Sequence, residues 1–245
     1  MSAAAAPAAE IDWYFDFVSP YSYLAFESLP RALAGIGPAL HYRPVLFAGL
    51  LNHWGHKGPA EVSPKRRFTY EHCAWLADRH GIPMRAPRRH PFNPLPLLRA
   101  AIAAGSGREP IGRLFRFVWR DGALPNEPAF AAVLDELGIT PAALDAPDVK
   151  AALRANGEAA IAAGVFGVPT AVARTAQGVR AIWGFEALPM LADWLRGAPV
   201  FAAEEMRRAA DLPLGEQRGS MSDARMPGGR PLPCGATARG TKGET

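Results

Sequence analysis

Cysteine is scarce in this chain of 245 residues: Cys73 and Cys234 are the only two, far apart and without CxxC spacing. That excludes a disulfide framework, a cysteine-rich zinc site and a self-contained dithiol redox centre. A reducing cytoplasmic compartment fits this usage. Cys73 lies in the helical pattern of residues 70–77 and reads as a small buried apolar residue, while Cys234 stands in a loose tail, so neither reads as a nucleophile. Long hydrophobic runs are missing too, and nothing approaches the roughly 18 apolar residues of a membrane helix. The Ala/Pro-rich residues 2–9 lack both the basic region and the apolar core of a secretory signal. Charge of one sign is not in excess, with 27 Lys and Arg against 23 Asp and Glu. The arginines are scattered without interleaved aromatics, so no nucleic acid and no membrane is expected as a partner. The cations of Lys65-Arg66-Arg67 and Arg88-Arg89 read singly as solvated faces, although one beside a pocket would suit an anionic substrate.

What the chain does have is apolar periodicity, with 49% hydrophobic residues, ample for a buried core. Residues 11–17 alternate as a strand, 20–33 carry helical spacing, and 40–45 offer a second strand after Gly35-Ile36-Gly37-Pro38, a β-α-β opening. Residues 63–80, 94–104, 111–120, 127–137 and 148–163 then read as helices, with no strand between them. Two short strands, 170–174 and 179–183, joined by a turn at Gly178, precede a helix over 186–195. The ends match a thioredoxin fold. The pattern predicts a thioredoxin-like α/β domain from residues 11–46 and 164–200, split by an all-helical insertion of residues 47–163, with a binding crevice between them. Periodicity fails from about Ala202, and residues 215–245 read as a disordered tail.

Chemistry is suggested at two places. In Phe15-Asp16-Phe17-Val18-Ser19-Pro20-Tyr21-Ser22-Tyr23-Leu24 an apolar strand runs into a helix start with a hydroxyl at the junction. Ser19 suits the N-cap, and Pro20 suits the first helical position, where its missing donor costs nothing. A thioredoxin-like fold keeps its first redox cysteine there. A serine cannot run a dithiol cycle, so the position can only assist a sulfur brought by something else, such as glutathione; a plain capped helix is the alternative. In Gly164-Val165-Phe166-Gly167-Val168-Pro169-Thr170 the Val-Pro bond stands where such folds keep a cis proline. A cis bond would turn the Val168 N–H and C=O toward Ser19, ready to pair with the cysteinyl backbone of glutathione; a trans turn is the alternative.

Taken in order, these motifs resemble the 2-hydroxychromene-2-carboxylate isomerases and, more distantly, the kappa-class glutathione transferases, over residues 11–197. The intervening Arg43-Pro44, Gly58-Pro59-Ala60-Glu61, Pro64-Lys65 and His90-Pro91-Phe92-Asn93-Pro94-Leu95 fit that family too. The resemblance implies a DsbA-like, kappa-transferase architecture and a glutathione-dependent cis/trans isomerase of aromatic catabolism. It would interconvert 2-hydroxychromene-2-carboxylate and trans-o-hydroxybenzylidenepyruvate, without metal. Ser19 would lower the pKa of the glutathione thiol so that the thiolate adds to the conjugated system and later leaves. Val168, Pro169 and Glu186 would hold glutathione, and Lys65, Asn93 and His56 would meet a small aromatic 2-oxo or hydroxy acid. Lys65 as solvent-facing charge and Asn93 as a turn residue are the alternatives.

Two departures stand out. His56 follows Gly55 where the family has an asparagine, and Trp183-Gly184-Phe185-Glu186-Ala187 replaces Gly-x-Asp-Arg, so Glu186 keeps the carboxylate at a helix start while the arginine is lost. A homodimer is only what the family suggests. A kappa-like transferase or peroxidase, and a non-catalytic thioredoxin-fold binding protein, are the competing readings.

Overall fold

The structure is a computed structural model that describes residues 9–213. The tail over residues 215–245 and Cys234 lie outside the described residues. The chain opens with β1 (Glu10–Phe15), α1 (Pro20–Ala32) and β2 (Ala39–Pro44). Helices follow: α2 (Phe47–Trp54), α3 (Ser63–His80), α4 (Leu95–Ala103), α5 (Arg108–Trp119), α6 (Ala129–Glu136) and α7 (Pro147–Ala162). The hairpin β3 (Thr170–Thr175) and β4 (Gly178–Trp183) and the helix α8 (Leu188–Leu195) close the fold. The sheet order is β2-β1-β3-β4. β1 runs parallel to β2, with Ile11 opposite Leu40, and antiparallel to β3, with Trp13 opposite Ala171. This is the thioredoxin-like arrangement, with helices alone between β2 and β3.

β1 is buried on both faces, which accounts for its width of apolar character. Trp13 and Phe15 stack at 4.8 Å on one face, where Phe115 of α5 packs against Phe15, Phe17 and Phe26 at centroid distances of 5.4, 4.6 and 5.3 Å. α1 and α5 therefore cover that side. On the other face Tyr14 and Val172 join Val45, Leu50, Ala160, Val165 and Val168, which brings in α2 and α7. The polar member of this second face is Asp12. Its carboxylate accepts from Arg43 of β2 at 2.8 Å and from Arg174 of β3 at 2.5 Å, so one acid ties three strands. Burial pushes its pKa up, but the two guanidinium hydrogen bonds outweigh burial and hold the carboxyl below its ordinary value.

Several boundaries differ from the sequence reading. β1 stops at Phe15, because Asp16, Phe17 and Val18 form the turn into α1. α2 was not anticipated, although Phe47, Leu50, Leu51 and Trp54 keep helical spacing and Gly55, at φ 67°, supplies a left-handed C-cap. α8 begins at Leu188 with Ala187 as N-cap, so Glu186 lies before the helix. Beyond Ala202, where no element was expected, α9 (Glu204–Ala210) forms in a separate compact unit that starts at Val200. It buries no residue, and its acidic start and basic end favour the helix through the dipole instead of through apolar period.

Phe115 is fully buried among five aromatic rings, so Phe115→Ala should cost about 3–5 kcal/mol in chemical denaturation. A loss below about 1 kcal/mol would show that the α1–α5 layer repacks freely.

Candidate active site

A cleft of about 960 Å³ opens where the β1–α1 turn, the starts of α2 and α3, residues 90–92 with Pro94, the loop before β3 and the turn after β4 converge. Ser19, itself buried, lines it. Its φ of −91° and ψ of 116° are extended, the backbone of an N-cap, and its Oγ accepts the Ser22 N–H at 3.2 Å. Pro20 takes the first helical position of α1. Val168–Pro169 is a cis peptide, and the Val168 carbonyl lies 3.5 Å from Ser19 Oγ. That contact is long for O–H···O, so the Ser19 proton is loosely engaged and can turn to a ligand in the cleft.

The turn carrying Ser19 is gripped by side chains from far away in sequence. Asp16 Oδ1 accepts the Val18 N–H at 3.0 Å, Oδ2 accepts the Phe47 N–H at 2.8 Å, and the Asp16 carbonyl accepts the Ser19 N–H at 3.1 Å. Trp119 Nε1 donates to the Phe17 carbonyl at 2.8 Å. His90 Nε2 is 2.6 Å from the Val18 carbonyl. A carbonyl only accepts, so Nε2 carries the proton, and the neutral ring then leaves Nδ1 to accept from the Tyr70 hydroxyl at 2.6 Å. Burial, the largest influence, lowers the His90 pKa, and nearby Arg66 lowers it further against the Val18 bond. The imidazole is thus held neutral. Asp16, by contrast, is fully buried with no cation against it, and burial pushes its carboxyl up to about 7 despite the N–H bonds from Val18, Phe47 and Phe17.

Of the residues singled out in the sequence, Ser19, Val168, Pro169, Glu186, Lys65 and His56 all line the cleft. Asn93 does not: its Oδ1 accepts the Leu95 N–H at 3.1 Å, the turn role, because Pro94 places it just before α4. Glu186 is also revised. It precedes the N-cap of α8, outside the first turn and its dipole, and its carboxylate stands 3.8 Å from His72 Nδ1. That same nitrogen shares a 2.8 Å hydrogen bond with the Tyr21 hydroxyl. Tyr21 is raised above its ordinary pKa by burial first, then by Cys73 and Glu186. Burial likewise pushes the Cys73 thiol up to about 12, which leaves it a protonated core residue.

Sequence reasoning did not single out Lys57 and Arg66 as site residues, yet both line the cleft beside Lys65 and His56, so its α2–α3 wall is cationic. For Arg66 the signal was the basic run Lys65-Arg66-Arg67, read as solvated faces with one cation beside a pocket suited to an anionic substrate. Nor did it find the aromatic rim: Phe68, Phe166 and Trp183 are 63%, 44% and 54% exposed and all face the cleft. Phe166 and Trp183 sit 5.1 Å apart. Gly167 lies against Trp183, whose Nε1 would be 2.6 Å from a Cβ there, so any side chain at this position would have to displace the ring. The arrangement can present a hydroxyl donor, a peptide edge, an exposed carboxylate and several cations to one ligand set. No helix among the described residues is long and apolar enough to cross a membrane.

Residues 10–196 match the DsbA-like thioredoxin domain family. A 2-hydroxychromene-2-carboxylate isomerase from Pseudomonas sp. (strain C18) is 30% identical over 199 residues, covering 78% of this chain and 92% of that protein. Glutathione S-transferase kappa 2 from Caenorhabditis elegans is 26% identical over 204 residues, covering 76% and 91%. Among solved structures, a 2-hydroxychromene-2-carboxylate isomerase has a TM-score of 0.65 at 24% identity, covering 83% of this chain and 99% of that one, a likeness of fold.

Asp16 makes a pH prediction. Its folded pKa of about 7 lies above the ordinary 3.8, so the folded state binds the extra proton. The stability it contributes is fully present below about pH 4, is lost as pH rises through 7, and is flat beyond. Stability measured against Asp16→Asn from pH 4 to 8 should show that decline in the native chain only. Parallel curves for both proteins would place the carboxyl at its ordinary value.

Proposed function

Because the chain belongs to the DsbA-like thioredoxin domain family, with serine where a dithiol enzyme needs cysteine, we propose that it is a glutathione-dependent isomerase of 2-hydroxychromene-2-carboxylate type. The observation that carries this reading is the Ser19 hydroxyl: buried at the N-terminus of α1, its oxygen occupied by the Ser22 N–H and its proton only loosely engaged by Val168. The relative of 30% identity is named for this reaction, and the match extends over nearly all of that protein.

The residues present fit a thiol tripeptide. Ser19 offers a donor, Val168 at the cleft wall offers backbone, and the side chain of Glu186, 59% exposed, offers a carboxylate for an ammonium. Glutathione, when bound, supplies a nucleophilic thiol that adds reversibly to a conjugated system. Ser19, backed by the N–H groups of the first turn of α1, stabilises negative charge placed against its proton. The wall of Lys57, Lys65 and Arg66 holds a substrate carboxylate, Arg66 also donating to the His90 carbonyl at 3.1 Å, while Phe68, Phe166 and Trp183 cover a planar ring and exclude water. His56, on the exposed loop after α2, hydrogen-bonds substrate oxygens from the rim.

A second reading is favoured by the kappa-class relatives, whose match is nearly as long: a transferase that keeps the thioether as product. Glutathione recovered in full after many turnovers supports the isomerase, and stoichiometric consumption the transferase.

Ser19→Ala should bind S-methylglutathione within about threefold of the native protein while kcat falls roughly 10- to 150-fold, the worth of a hydrogen bond to a charged group. Unchanged kcat removes Ser19 from the chemistry. Glu186→Ala should raise the glutathione KM by no more than about tenfold, since an exposed charge contact is screened, with kcat unchanged. A kcat loss equal to the KM rise would place Glu186 elsewhere in the reaction.

A further inference from the structure

Asp16 is a group the packing does not need. It is completely buried at the end of β1, where an apolar residue of similar size would cost less to desolvate. Its carboxylate meets no guanidinium or ammonium; its recorded bonds are all to backbone N–H groups. Those bonds are specific in what they join. Besides the N–H of its neighbour Phe17, they take one N–H from Val18, the residue before the catalytic candidate, and one from Phe47, the first residue of α2. Both residues line the cleft, on walls that are otherwise separate stretches of chain. Only a two-oxygen acceptor can take both donors. An asparagine has one acceptor and would set its own N–H against a backbone N–H.

We propose that Asp16 is a positioning residue for the Ser19 site: its carboxylate couples the β1–α1 turn to the start of α2 and so fixes the Ser19 hydroxyl relative to the cleft. Trp119 and His90 fix the carbonyls of Phe17 and Val18, so Asp16 supplies the matching hold on the N–H side of the same turn. A hydroxyl that must meet a sulfur within hydrogen-bond reach tolerates little displacement, and positioning of this kind affects charge stabilisation more than affinity. The inference rests on the proposed role of Ser19 and goes beyond it, in naming what holds that residue.

The test is the thiol pKa of bound glutathione, followed by thiolate absorbance in the ultraviolet, in the native protein and in Asp16→Asn. The expected result is a bound-thiol pKa about one unit higher in Asp16→Asn, with kcat at neutral pH lower by about tenfold and the S-methylglutathione Kd within about threefold. A merely structural role would lower the melting temperature and leave the thiol pKa unmoved; that result in folded Asp16→Asn overturns the proposal. Should Asp16→Asn fail to fold, Phe47→Pro removes one donor at a helix position that tolerates proline, and a thiol pKa unmoved there overturns the proposal equally. If native protein binds glutathione without lowering its pKa, the functional reading of Ser19 falls. The positioning claim is then decided by hydrogen exchange at the Ser19 and Ser22 amides, faster in Asp16→Asn if Asp16 holds the turn and unchanged if it does not.

Discussion

The peptide groups of residues 16–19 are held by side chains on every available side, and the rest of the site depends on that restraint. Asp16 takes the Val18 and Phe47 N–H groups, Trp119 and His90 supply donors to two carbonyls, and Ser19 caps α1 by accepting the Ser22 N–H. The grip comes from β1, α5, the segment before α4 and the start of α2, so the Ser19 hydroxyl is located by the whole fold instead of by its own short turn. A cleft wall built this way loses little ordering entropy when a ligand binds.

The sandwich beneath explains why so many polar groups can converge there. Helices cover both faces of the sheet, so β1 and the turn that follows it are enclosed and their polar residues must find partners inside. Asp12 does so with two arginines and stays charged; Asp16 does so with backbone alone, and burial raises its pKa. These are the same residue type, four positions apart, separated in behaviour by what faces them. Cys73, the cysteine among the described residues, is buried with a raised pKa, so it supplies no reactive thiol to the cleft.

Local signals were legible where local physics decides. α3 spans Ser63–His80, because Pro64 suits the first turn and Gly81, at φ 63°, ends it. The strand–helix junction at Ser19 and the Val168–Pro169 bond could be read from short motifs whose residues act on their neighbours. Glu186 was misplaced into a helix because Ala187 is an unremarkable cap with no side-chain bond to announce the boundary. Asn93 sits between two possible roles that only tertiary placement separates. The bonds of Asp16 to Phe47, His90 to Val18 and Trp119 to Phe17 were illegible for a stronger reason: the partners lie 31, 72 and 102 residues apart, and no spacing rule reaches that far along the chain.

The most direct test of the central claim is a crystal structure of the protein soaked with glutathione. The account predicts the sulfur within hydrogen-bond distance of Ser19 Oγ, the cysteinyl backbone paired with Val168, and the γ-glutamyl end toward Glu186. A glutathione sulfur bound elsewhere in the cleft, with the Ser19 hydroxyl still turned to the Val168 carbonyl, would contradict it.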